Sequence, residues 1–133
     1  MKLVKDVMTK KVKTVAPSAT MAEAARLMRA NRIGCLVAID EAKPVGIITE
    51  RDLVYKIIAE EKSTRASVRD IMTRDIRTVD GQRTIKDAAK IMATHLIRRL
   101  PVVERGKLVG IITIDDIMKS EKIGEDTRLY SYT

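Results

Sequence analysis

The stretch GIITERD spans residues 46–52, and GIITIDD spans residues 110–116. Gly, Ile, Ile, Thr and the final Asp are kept, while the two residues before that Asp change. A shift of 64 positions aligns these stretches. It also aligns VKDVMTKKVKTV (4–15) with VRDIMTRDIRTV (68–79), AARLM with AAKIM, and KPVGIITERDL with KLVGIITIDDI, without a gap. About nineteen of some fifty paired positions are identical. Several of the others exchange one aliphatic residue for another. A fixed internal period governs how the rest of a chain is read. The sequence is therefore two copies of one unit, residues 4–60 and 68–121. The polar EEKSTRAS (60–67) joins them, and the tail 122–133 has no counterpart.

Each copy carries the same order of signals. KVKTV and IRTV alternate polar and apolar residues, which predicts a short strand. Thr20 followed by Glu23 predicts a helix start with a capping box, and Thr84 with Asp87 repeats it. Met21, Ala24, Ala25, Leu27 and Met28 form one helical face. CLVAI and LPVVE read as strands. EAKP and RGK read as tight turns, so VGIIT lies antiparallel to the strand before it. RDLVYKIIAE and DDIMKSEK then read as second helices. The expected fold is α/β (α+β): two β-α-β-β-α repeats related by a pseudo-two-fold axis, with a crevice where their sheets meet.

Composition narrows the class. The chain has 133 residues, 45% apolar, with no Phe or Trp and three Tyr, so its core must be aliphatic. No apolar run is long enough for a membrane span, and MKLVKDVMTKK lacks the apolar stretch of a signal peptide. The single cysteine, Cys35, makes no internal disulfide. These features predict a cytoplasmic protein. Single Asn31 and Gln82 against abundant Lys, Arg and Glu are in keeping with a heat-adapted source. His95 is the only histidine, and there is no Cys or His cluster, so no metal is expected. No nucleophile elbow, phosphate loop or acid–base set appears, which predicts a non-enzymatic protein requiring no cofactor. The net charge of +8 is scattered, as on a solvated surface. Its alternative meaning is attraction for anions, nucleic acid included, with Lys2, Lys5, Lys10, Lys11 and Lys13 as the densest cluster. The near absence of aromatic stacking residues counts against single-stranded nucleic acid.

Thr49 and Asp52, and Thr113 and Asp116, stand three residues apart where a strand gives way to a helix. Backbone N–H groups at such an end lack partners and welcome a phosphate, with the Thr hydroxyl as a further donor. An ionised Asp would repel that phosphate, so the carboxylate suits a ribose diol instead. Gly46 and Gly110 would allow close backbone approach on the preceding strand. An adenosine-type ligand explains all three kept residues; plain helix capping explains Thr and Asp but not Gly.

DVMT, TV, the Thr-led helix, LPVV and GIIT-x-x-D, recurring in order at one spacing over residues 4–121, resemble the CBS domain, named for cystathionine beta-synthase. The tandem pair is often called a Bateman module. The resemblance implies a regulatory sensor that binds AMP, ADP, ATP or S-adenosylmethionine in clefts between the repeats, and that pairs as a homodimer. It assigns Asp52 and Asp116 to ribose, and Thr49 and Thr113 to ribose or phosphate. Thr14, Val15 and Ala16, with Thr78, Val79 and Asp80, would border the sugar and base. Gly34, Cys35 and Leu36, with Arg98, Arg99, Leu100 and Pro101, would hold adenine through backbone groups. Arg51 favours a phosphate, whereas Asp115 at the matching position opposes one. Copy one also lacks the Pro that copy two has at 101, so the two sites should differ in ligand or affinity. His95, Arg98 and Arg99 are candidates for the phosphates of the opposite site.

Met8 and Met72 are expected to pack, or to cover the cleft mouth. Leu53, Val54, Ile57 and Ile58, with Ile117 and Met118, are expected to divide between core and dimer interface. Output is expected to pass to an effector protein on another chain, and the tail GEDTRLYSYT is a candidate for docking a partner, for swapping between protomers or for fraying. A ligand-free dimerisation or partner-docking module is the remaining alternative.

Overall fold

The computed structural model describes residues 2–121. They fall into two compact units: a leading unit of residues 11–76 with 105–108, and a trailing unit of residues 2–10, 77–104 and 109–121. Each has its own aliphatic core.

The leading unit contains β1 (Thr14–Val15), α2 (Met21–Asn31), β2 (Cys35–Asp40), β3 (Lys43–Thr49), α3 (Glu50–Asp52) running on into a π-helical stretch (Leu53–Ile58), and α4 (Val68–Ile71). The trailing unit contains α1 (Val4–Val7), β4 (Val79–Asp80), α5 (Ile85–His95), β5 (Arg99–Glu104), β6 (Lys107–Thr113) and α6 (Ile114–Glu121). The sheets have orders β1-β2-β3 and β4-β5-β6. β1 runs parallel to β2, and β2 antiparallel to β3, as the turn residues require. The α/β (α+β) architecture with two β-α-β-β-α repeats is thus present.

Three local features differ from the sequence reading. First, KVKTV and IRTV pair over only two residues each. Pro17, with no N–H, follows β1 one residue on and cannot extend it, while Gly81, next after β4, adds only one further bond, to the Val103 carbonyl at 3.2 Å. Second, the capping boxes differ. The Thr20 hydroxyl accepts from the Glu23 N–H at 3.1 Å, but no return bond forms. At Thr84 both bonds form, because Asp87, one methylene shorter and gripped by Arg83 at 3.1 Å, reaches back to the Thr84 N–H. Third, VKDV and VRDI make one-turn helices, α1 and α4, where no helix is expected from pattern.

Those short helices explain why the compact units are not the sequence copies. The Thr73 backbone exchanges two hydrogen bonds with Ile47 of β3, at 3.0 and 2.9 Å. Thr9 does the same with Ile111 of β6, at 2.9 and 3.0 Å. So the DVMT segment that begins copy one docks on the GIIT strand of copy two, and DIMT of copy two docks on GIIT of copy one. Val4 is fully buried in the trailing core, and Val68 in the leading core.

Candidate functional site

The register of each sheet brings the predicted site segments together within its own unit. Cys35 lies opposite Thr49, and Leu36 opposite Ile48. Thr14 and Val15 pair with Val37 and Ala38 on the same central strand. The Glu50 N–H donates to the Gly34 carbonyl at 3.0 Å, closing the end of the sheet over the helix start. In the trailing unit the Ile114 N–H donates to the Arg98 carbonyl at 2.9 Å, and Val79 pairs with Val102 beside Leu100 and Pro101.

Burial divides the predicted residues. The side chains of Val15, Leu36, Val79, Leu100 and Pro101 are in the cores, so these positions offer a ligand only backbone. Thr14, Ala16, Gly34, Cys35, Thr49 and Arg51 are at least partly exposed, as are Thr78, Asp80, Arg98, Arg99, Thr113 and Asp116. His95 is exposed at the last position of α5. The Asp80 carboxylate is occupied locally, accepting from the Gln82 N–H at 2.8 Å.

Both motif aspartates turn toward their own helix starts. Asp52 Oδ2 accepts from the Thr49 N–H at 2.8 Å and from its hydroxyl at 3.2 Å. Asp116 Oδ2 accepts from the Thr113 N–H at 2.9 Å. The two then diverge. Asp52 is buried, and its Oδ1 is paired at 3.1 Å with Lys56, which also donates to the Ile71 carbonyl at 2.9 Å. A carboxylate offers about four acceptor positions, and Asp52 has three in use. The residue 64 positions after Lys56 is Ser120, so among the described residues Asp116 has no such partner and keeps acceptor capacity. Sequence reasoning missed Lys56; the mismatch with Ser120, four residues after each Asp, was the available signal.

The glycines have another role than the expected one. A side chain on Gly46 would collide with the sulfur of Met72, and one on Gly110 with the sulfur of Met8. The space beside each glycine is filled by the protein itself, which answers why Gly accompanies these two helix starts. Met8 and Met72 are therefore packing residues.

Arg51 lies with its guanidinium 5.1 Å from the ring centre of Tyr55, a cation–π contact on the exposed face of the second helix. Ile57 and Ile117 are core, whereas Val54, Tyr55 and Ile58 are exposed. Among the described residues, no group of three or more His, Cys, Asp or Glu could hold a metal ion. No described helix is long and apolar enough to cross a membrane.

Two mixed α/β repeats, each ending a strand in a Thr-x-x-Asp helix start, define a tandem regulatory module of the kind the sequence resembles. The family model of the CBS domain matches residues 4–59 and 68–122, and the chain belongs to that family as a CBS-domain pair. It is 33% identical over 125 residues to the CBS domain-containing protein YhcV of Bacillus subtilis, covering 94% of this chain and 89% of that one. It is 44% identical over 109 residues to inosine-5'-monophosphate dehydrogenase of Korarchaeum cryptofilum, covering 81% of this chain but only 22% of the enzyme. Among solved structures it is similar to the CBS domain pair of protein MJ0100 in complex with 5'-methylthioadenosine and S-adenosyl-L-methionine. The TM-score is 0.82 at 31% identity, covering 94% of this chain and 99% of that one.

Proposed function

We propose that this CBS-domain pair is a non-enzymatic sensor of adenosyl ligands, each helix start holding a ribose through its aspartate. The observation that carries this reading is the duplicated cradle: Thr49 with Asp52 beside Gly34–Leu36, and Thr113 with Asp116 beside Arg98–Pro101. The complex of MJ0100 with two adenosyl compounds supports the ligand class. On binding, a ribose hydroxyl donates to a free acceptor position of the aspartate.

The two sites are unequal. Asp52 has three of its acceptor positions in use and Asp116 fewer, so the trailing unit's site is the stronger ribose acceptor. Asp115 beside it disfavours phosphate and suits the positively charged sulfonium of S-adenosylmethionine. Arg51 in the leading unit suits AMP, ADP or ATP. A ligand shifts the protein's conformational populations only by its differential affinity for them, and an effector protein on another chain reads the outcome. Exposed Val54, Tyr55 and Ile58 offer an apolar face for homodimer formation; hexameric CBS-CP12 proteins are among the similar structures.

The test is thermal shift with AMP, ADP, ATP, S-adenosylmethionine, NAD and GTP. A ligand at a hundred times its dissociation constant adds about 2.7 kcal/mol of stability. S-adenosylmethionine should lose its effect in Asp116→Ala and keep it in Asp52→Ala. A flat panel, with DNA bound at low salt, would favour a nucleic-acid-binding protein instead.

A further inference from the structure

The exchange of Lys56 for Ser120 has a consequence outside the ribose reading. In the leading unit the Lys56 ammonium bridges Asp52 Oδ1 and the Ile71 carbonyl. The matching atoms of the trailing unit are Asp116 Oδ1 and the Val7 carbonyl, since 7 and 71, and 52 and 116, are each 64 apart. There the short Ser120 cannot reach them. A cavity of about 400 Å³ opens instead, lined by Lys2, Asp6, Val7, Asp116, Lys119 and Ser120. Ser120 Oγ is buried with no hydrogen-bond partner among the described residues. A buried hydroxyl left unpaired is costly and uncommon.

Lys2 and Lys119 also line the cavity. Lys2 donates to the Ser120 carbonyl at 3.4 Å, and among the described residues neither lysine pairs with Asp6 or Asp116. The acceptors that hold an ammonium in one unit are thus present in the other, beside a space large enough for an alkyl chain. We infer that this cavity binds a primary alkylammonium group, on Asp116 Oδ1 and the Val7 carbonyl, where the leading unit uses its own lysine. The inference does not rest on the adenosyl reading. Of that site's residues only Asp116 is shared.

The probe is n-butylammonium chloride, the detached lysine side chain, followed by thermal shift and calorimetric titration of the full chain. Sodium and tetramethylammonium chloride at equal ionic strength control for salt and for a cation without N–H donors. A saturable rise in melting temperature of about 3 °C or more is expected for butylammonium alone, with one molecule bound per chain. Ser120→Lys should abolish it by refilling the cavity. Lys56→Ala, which opens the matching acceptors, should raise the stoichiometry to two. Equal shifts with tetramethylammonium would overturn the inference, as would a shift that survives in Ser120→Lys or no response to butylammonium. A response centred on Lys2 would show as butylammonium binding gained only in Lys2→Ala, and would assign the site to the chain's own lysine.

Discussion

Met72 occupies the space that a side chain on Gly46 would need, and the Thr73 carbonyl oxygen would lie 3.0 Å from a methyl placed there. Met8 and the Thr9 carbonyl, at 2.9 Å, stand in the same relation to Gly110. The Met end can swing away, but the Thr carbonyl is fixed by its hydrogen bonds to β3 or β6. Gly46→Ala and Gly110→Ala should each destabilise by about 1–3 kcal/mol through overpacking. Chemical denaturation measures this. Gly46→Ala combined with Met72→Ala should cost less than the sum of the single changes, since the residues touch.

The crosswise docking of the lead-in segments makes a prediction about which half fails. Val4 has no exposed surface and packs in the core of the trailing unit with Val79, Met92 and Ile112. Removing residues 1–10 should therefore expose backbone amides of residues 79–121 to hydrogen exchange before those of residues 14–58. Loss of protection in the leading unit first would show that Val4 contributes nothing to the trailing core.

The β2–β3 turn places Glu41 at φ 50° and Ala42 at φ 67°, whereas the matching turn in the second copy has Arg105 and Gly106 at 55° and 78°. A left-handed conformation costs a non-glycine residue roughly 1 kcal/mol. Ala42→Gly should raise stability by about 0.5–1 kcal/mol, read as a higher denaturation midpoint at unchanged slope.

Asp87 carries a pH dependence. Desolvation acts to raise its carboxyl, but hydrogen bonds from Arg83 and Thr84 outweigh it and hold the carboxyl below its ordinary value of 3.8. A depressed carboxylate contributes stability above its unfolded value and loses it as pH falls through the folded value. Asp87→Asn should lower stability at neutral pH and flatten the acid limb below about pH 4, where the unfolded carboxylate titrates. Stability measured from pH 7 down to acid checks both.

Much of the fold was legible in the residues, and the reason is periodicity. A shift of 64 positions fixed the repeat, and branched runs bounded by EAKP and RGK fixed the hairpins. The crosswise docking was not legible. The same repeat that says DVMT belongs against GIIT makes either copy an equally good partner, and only chain geometry selects one. The glycines were misread for a related reason: a gap beside a backbone looks the same in sequence whether a ligand or a methionine sulfur fills it. The difference between Asp52 and Asp116 lies in residues outside the motif. It depends on whether a helix presents Lys or Ser one turn further on, which a comparison of motifs alone passes over.

The most direct test of the central claim is calorimetric titration of the chain with S-adenosylmethionine, alongside Asp52→Asn and Asp116→Asn. Saturable binding is expected, weakened at least tenfold by Asp116→Asn and little changed by Asp52→Asn. Absence of binding by the unaltered chain to S-adenosylmethionine and to the adenine nucleotides alike would contradict it, and would leave both aspartates as helix caps only.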